Sequence, residues 1–212
     1  ESVSIAGRAA ALRIENLDTD QIMPKQFLRG IDKSGLKEGL LYDLRFDGAG
    51  QPRMDFVLNQ PAFAKVDVLI AGANYGCGSS REHAVWGMQQ YGFKAVVASS
   101  FGEIFYSNAL NNRLLLAMVT DADVQAFVAE AAEQPGPLAL TIDVSQRVVR
   151  SPGHSAGFVL SDRHQRMFVQ GLDVIGASLT YAEHIRAFAD RHWAAQPWVR
   201  DVARRTRDRL AG

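Results

Sequence analysis

The sequence predicts an α/β fold with a parallel βαβ portion and a short antiparallel β portion. Residues 66 to 134 alternate short continuous apolar runs with helix-spaced segments. Residues 138 to 160 hold shorter strand-like runs parted by turns, and "SVSIAGRAAALRI" near the N-terminus reads as an early strand. Continuous apolar runs suit strands covered on both faces, and strands joined through helices run parallel with crossover connections.

"SVSIAGRAAALRI" is expected to form one strand or a bent pair, with Gly7 at the bend. "ENLDTDQIMPKQFLRGIDKSGLKEGLLYDLRFD" mixes turn residues with short helical periods, and "DGAGQPRMDFVLNQP" is a connection broken by Gly and Pro. "VDVLIAG", "KAVVASS" and "LLLAMV" follow as strands. Between them, "REHAVWGMQQYG" places Ala84, Val85, Met88 and Tyr91 on one helical face, and "FGEIFYSNALNNR" is a second helix. "DADVQAFVAEAAEQ" is a third, with Asp121 as its cap candidate and "PGP" as its stop. "LALTIDV", "RVVRS" and "AGFVL" are short strands, and "SDRHQRMFVQG" and "ASLTYAEHIRAFADRH" are helices with Ser161 and Ser178 as caps. The Arg-rich end after Trp193 is amphipathic and set off by Pro197; it reads as a solvated helix or frayed end ahead of a partner-binding helix.

Composition narrows the class. The 212 residues carry 23 basic and 23 acidic side chains, so no net field draws the chain to nucleic acid or anionic lipid. No apolar run reaches the length of a membrane span and no signal-peptide pattern opens the sequence; a cytoplasmic protein is expected. Cys77 is the one cysteine, which excludes an internal disulfide and any zinc–thiolate or iron–sulfur site built by this chain alone. His154, His164, His184 and His192 lack metal-ligand spacing, so no metal site is expected.

The stretch "GANYGCGSSREHAVWG", residues 72 to 87, packs four glycines, two serines and an Arg-Glu-His run between a strand and a helix. Open α/β sheets place ligands at such a junction, and a helix N-terminus offers N–H groups to an anion. Gly76 and Gly78 allow positive φ or close backbone approach. Ser79-x-x-Glu82 also matches a capping box, which would commit the serine to a backbone N–H. Arg81 stands against the helix dipole, which points to a bound anion, best a carboxylate gripped by both guanidinium nitrogens. The dinucleotide fingerprint fails, because Arg81 stands where its third glycine belongs, and no Gly-Lys-Ser/Thr follows for a P-loop. Cys77 as a nucleophile beside His83 remains an alternative to Cys77 as a small packing residue. A small carboxylate is the surviving ligand class.

"NYGCGSSREHA" resembles the signature of the swivelling domain of the aconitase superfamily. "NLDTDQIMPKQFL", "SFGEIFYSNALNNRLL" and "GLDVIGASLTYAEHI" are similar to the bacterial 3-isopropylmalate dehydratase small-subunit family. The resemblance spans residues 3 to 192. It implies a three-layer β/β/α swivelling domain over residues 1–192 with an extension at 193–212. It further implies a hydro-lyase of leucine biosynthesis, active only with a large subunit, that converts 2-isopropylmalate to 3-isopropylmalate through isopropylmaleate. The partner is expected to carry the [4Fe–4S] cluster.

Roles carry over position by position. Ser79 matches the family's serine base and Asp20 its active-site aspartate, although Asp18-Thr19-Asp20 also reads as an ordinary polar turn. Arg81 and Ser80 match contacts to substrate carboxylate, and Arg29 stands near a second carboxylate-binding arginine at altered spacing. Gly76, Gly78 and His83 would support the loop, His83 through a side-chain hydrogen bond. Phe27, Leu28 and Ile31 are candidates for an apolar wall that selects a branched alkyl substrate, or for core. A dehydratase subunit for citramalate, citraconate or homoaconitate, and a non-catalytic anion-binding regulatory module, are the alternative readings.

Overall fold

The computed structural model describes residues 3–28, 34–79 and 81–173. Residues up to Val169 form one compact unit, which carries the sheet and the glycine loop. The expected boundary at 192/193, the helix with its Ser178 cap, and the side chains of Arg29, Ile31 and Ser80 lie outside the described residues.

Seven strands form one sheet in the order β4-β3-β2-β1-β5-β6-β7. They are β1 Ser4–Leu12, β2 Val68–Ala71, β3 Ala95–Ala98, β4 Leu115–Met118, β5 Leu138–Asp143, β6 Val148–Arg150 and β7 Ser155–Gly157. β1 joins the two halves. Its C-terminal part, Ala9–Leu12, runs parallel to Val68–Ala71, while Ser4–Ala9 pairs antiparallel with Asp143–Leu138. β2, β3 and β4 continue the parallel half; β6 and β7 continue the antiparallel half.

The helices are α1 Thr19–Ile22, α2 Leu36–Gly39, α3 Tyr42–Arg45, α4 Glu82–Tyr91, α5 Glu103–Asn111, α6 Asp121–Ala132 and α7 Asp162–Asp173. The β-α-β-α-β-α pattern expected over 66–134 is present in full. Its cause is visible in the burial: all residues of β2 and β3 are buried, as strands covered on both faces require. β5 instead alternates, turning Leu138, Leu140 and Ile142 inward.

Two local expectations are corrected. Gly7 lies within a single strand rather than at a bend, and a Cβ there would sit 2.6 Å from Oδ1 of Asp67, which accepts the Arg8 N–H. The glycine is required by close approach. At α6 the cap is Thr120, whose Oγ1 accepts the Asp123 N–H at 3.2 Å, and Asp121 falls in the first turn, where its charge suits the helix dipole.

Because β1, β2 and β3 run parallel, the segments that follow them leave from the same edge of the sheet. The residues after β1, the glycine loop after β2 and the start of α5 after β3 meet there.

Candidate active site

Residues 16 to 20 form a strap along the glycine loop. The Asn16 N–H donates to Ala73 O at 2.9 Å, the Gly76 N–H to Leu17 O at 2.8 Å and the Thr19 N–H to Cys77 O at 2.9 Å. Two side-chain bonds extend the ladder: Asn74 Nδ2 donates to Asn16 Oδ1 at 3.0 Å, and the Thr19 hydroxyl donates to Ser79 O at 2.9 Å. Asp18 then caps α1, exchanging bonds with Gln21 in a capping box. The polar turn read in Asp18-Thr19-Asp20 is therefore a helix start docked on the loop.

The far side of the loop is tied to the residues after β3. The Asn74 N–H donates to Ser100 Oγ at 2.8 Å and the Gly102 N–H to Tyr75 O at 2.9 Å. Tyr75 is fully buried, its ring edge-on to Phe105 and its hydroxyl donating to Met88 Sδ of α4 at 3.2 Å. Burial pushes its phenol far above the ordinary range, so it stays neutral and anchors the loop.

Gly76 and Gly78 both have positive φ, +78° and +96°, but they differ in surroundings. A Cβ on Gly76 would lie 2.3 Å from the Phe105 ring, so this glycine is demanded by packing. A Cβ on Gly78 would meet nothing nearer than Asp18 Cβ at 3.5 Å. There the demand is conformational, and the backbone is open.

Ser79 follows, exposed, and its hydroxyl has no hydrogen-bond partner among the described residues. The capping-box alternative does not hold: α4 begins at Glu82 with Arg81 as its N-cap, two residues later than a Ser79 cap needs, and no side chain caps it. Arg81 points to Asp20. Its Nη1 lies 2.5 Å from Asp20 Oδ1, yet this is a charge contact without hydrogen-bond alignment. The arginine side chain is 16% exposed and the aspartate 52%. A sheltered cation at a helix N-terminus, offset by a carboxylate within reach of water, is poised to take an aligned carboxylate partner.

The structure thus brings Ser79, Asp20, Arg81, Gly76 and Gly78 to one edge. His83 does not make the expected hydrogen bond to the loop among the described residues; its ring stands edge-on to Trp86 at 5.0 Å, and Trp86 Nε1 donates to Asn112 Oδ1. Phe27 and Leu28 are partly buried against the core, and Phe27 packs on Tyr42. Sequence reasoning missed Thr19, Tyr75 and Arg45. Arg45 Nη1 donates to the carbonyls of Lys37, Glu38 and Leu40, and its guanidinium lies over the Tyr91 ring. This latch holds α2 to α4, and burial lowers the arginine's pKa. Nothing in "YDLR" marks it, because its partners are backbone carbonyls brought close by folding.

A cluster of the iron–sulfur type does not fit this chain. The sequence has one cysteine, and among the described residues no three His, Cys, Asp or Glu side chains gather as a metal-holding group. Among the described residues, no helix is long and apolar enough to cross a membrane.

Residues 3–121 match the family model of the aconitase C-terminal domain. The chain is 58% identical over 207 residues to 3-isopropylmalate dehydratase small subunit 1 of Chromobacterium violaceum, covering 98% of this chain and 97% of that one. It is 42% identical over 194 residues to the 3-isopropylmalate dehydratase small subunit of Caulobacter vibrioides, covering 91% and 95%. Among solved structures, a 3-isopropylmalate dehydratase from Methanocaldococcus jannaschii aligns with a TM-score of 0.58 at 25% identity, over 90% of this chain and 99% of that one. The mixed sheet, the glycine loop at its edge and these similarities together assign the chain to the aconitase C-terminal domain family, in its branch of 3-isopropylmalate dehydratase small subunits.

Proposed function

We propose that this chain is the small subunit of a heteromeric hydro-lyase that isomerises 2-isopropylmalate to 3-isopropylmalate through isopropylmaleate, and that it supplies the base, Ser79. The observation that carries the reading is the unpartnered, exposed Ser79 hydroxyl on a backbone held at both ends, beside the Arg81–Asp20 pair. A polar group left open on a rigid scaffold is how a site is prepared for a ligand.

The hard step is removal of a proton from a carbon next to a carboxylate. Ser79 takes that proton as an alkoxide; the electron pair becomes the C=C bond as hydroxide leaves the neighbouring carbon. Addition of proton and hydroxide to the exchanged carbons completes the isomerisation. A serine is a base only where its anion is favoured, and here no His–Asp pair serves it among the described residues. Positive potential from the N-terminus of α4, from Arg81 and from the Gly78 N–H, which has no partner among the described residues, supports the alkoxide instead. Arg81 grips the substrate carboxylate, and Asp20 holds its guanidinium until substrate arrives. Ser80 and Arg29 are assigned further carboxylate contacts from the family resemblance alone. The [4Fe–4S] cluster belongs to the large subunit in this reading, and no step assigned to this chain runs through it.

Anaerobic reconstitution with a cluster-bearing large subunit tests the reading. The mixture is expected to hydrate isopropylmaleate where either subunit alone is inactive. Within that complex Ser79→Ala lowers turnover by about 10²–10⁴-fold, the range a positioned proton-transfer group supplies. Undiminished turnover would remove the serine from the mechanism and leave a binding module. Malates with methyl or carboxyethyl in place of isopropyl decide between this substrate and the citramalate or homoaconitate alternatives.

A further inference from the structure

We propose that Thr19 is a positioning residue for the base: it bridges the carbonyls of Cys77 and Ser79 across Gly78 and so sets the direction of the serine and of the Gly78 peptide. This rests on the assignment of Ser79 as base.

Thr19 and Asp143 are the two buried polar residues among the described residues, Thr19 being 2% exposed. Asp143 is explained by its own hairpin, where it accepts the Gln146 N–H at 2.8 Å. Thr19 has no such local use. Its hydroxyl crosses sixty positions of sequence to Ser79 O, and its N–H donates to Cys77 O. Its carbonyl accepts the Met23 N–H within the first turn of the docked helix, so the residue is fixed from its own side as well. Asp18 at the cap and the Leu17 carbonyl, which accepts the Gly76 N–H, fix the chain before it.

The consequence follows from peptide geometry. No cis peptide bond occurs among the described residues, and a trans peptide points its C=O and N–H in opposite directions. Holding Cys77 O on the Thr19 side turns the Gly78 N–H to the other side. Gly78, at φ +96°, lies between the two carbonyls that the same threonine holds. A buried hydroxyl that lost this acceptor would be left unsatisfied, so the geometry is over-determined rather than loosely preferred. A backbone carbonyl fixed in this way fixes where the serine Cβ starts, so that Oγ is confined to the staggered positions about that bond, which is what a base acting at one substrate carbon needs.

The test uses the full chain assembled with a cluster-bearing large subunit. Thr19→Val removes the hydroxyl at nearly constant volume, and Thr19→Ser keeps it. We expect Thr19→Val to lower kcat by about tenfold or more with KM within about twofold, since small misplacement of a reacting group costs rate before binding. Thr19→Ser is expected to return kcat to within about threefold of the parent. In a Ser79→Ala background, Thr19→Val should change the residual rate no further, because Thr19 acts through the serine. If Thr19→Val does not fold, Thr19→Ala removes the hydroxyl without pressing a methyl on the Ser79 carbonyl, and the same comparison with Thr19→Ser applies. Parent-like kcat in a folded variant without the hydroxyl, failure of Thr19→Ser to rescue, or an equal loss in the Ser79→Ala background would each overturn the proposal. A Ser79→Ala enzyme at full speed would instead defeat the base assignment, whatever Thr19 does.

Discussion

The turn Ser151–His154 between β6 and β7 and the loop that carries Ser79 draw on the same residue types: serine, glycine, histidine and a nearby carboxylate. In the first, the serine and histidine side chains both have partners. Glu130 of α6 accepts from the Ser151 hydroxyl and, at 2.7 Å, from the Gly153 N–H. His154 Nε2 and Asp123 Oδ1 lie 2.9 Å apart, and the imidazole packs edge-on to Phe127. The His154 N–H returns to Ser151 Oγ at 3.0 Å. In the second, the backbone is tied down at least as firmly, but the Ser79 hydroxyl and Arg81 Nη1 lack aligned partners among the described residues. Closed polar circuits mark a turn that serves the fold. Open ones on a fixed backbone are what the proposed site requires.

The contrast can be broken first at its glycines. Gly76→Ala must place a methyl in the Phe105 ring at a left-handed φ, and we expect a loss of about 2–5 kcal/mol in urea unfolding of the isolated chain. Gly78→Ala meets only ordinary contacts, Asp18 Cβ at 3.5 Å and Thr19 Oγ1 at 3.7 Å, and is expected to cost only about 1–2 kcal/mol, with its larger effect on turnover of the assembled enzyme. Equal stability losses would erase the distinction between a packed and an open glycine.

Arg81→Lys keeps the charge and removes the fork. KM for the dicarboxylate is expected to rise roughly tenfold, the equivalent of about 1.5 kcal/mol, with the melting temperature unmoved. In the other turn, Glu130→Gln is expected to cost about 1–2 kcal/mol of stability and to leave kcat and KM alone. A change in kinetics from that position would mean the turn is not merely structural.

The smallest effect is one of pH. The Thr120 hydroxyl, then the His154 ring, hold the Asp123 carboxyl below the ordinary aspartate range. The charged form is thereby favoured in the folded chain. Its contribution is fully present above the ordinary aspartate pKa and is lost as pH falls through the lowered value. Melting curves of Asp123→Asn should be flatter than the parent's across that acid range; parallel curves would show that the pair contributes nothing.

The parallel half was legible in sequence because burial on both faces leaves an unbroken apolar run, as in "VLIA" and "AVVA". The glycine loop was legible through its density of special residues. What failed was local logic applied where distant contacts decide. Ser79-x-x-Glu82 has the form of a cap, but the strap takes the Ser79 carbonyl and Asp20 takes Arg81, so the helix starts late. Gly7 looked like a bend because nothing nearby in sequence reveals the approach of Asp67. Thr19 was hidden between two aspartates, a setting that suggests a solvated turn. Its burial depends on the loop laid over it sixty positions later.

That separation has a bearing on how the protein matures. Loop-closure entropy must be met before contacts between such distant stretches form, so the ladder between residues 16–20 and 73–79 is expected to form only once β1 has paired with β2. A chain nicked or misregistered between them could bury its central strands and still present no reactive hydroxyl in the right place. Competence for chemistry is then a report on completed folding: a partner that reads this edge of the sheet would recruit finished molecules and pass over the rest.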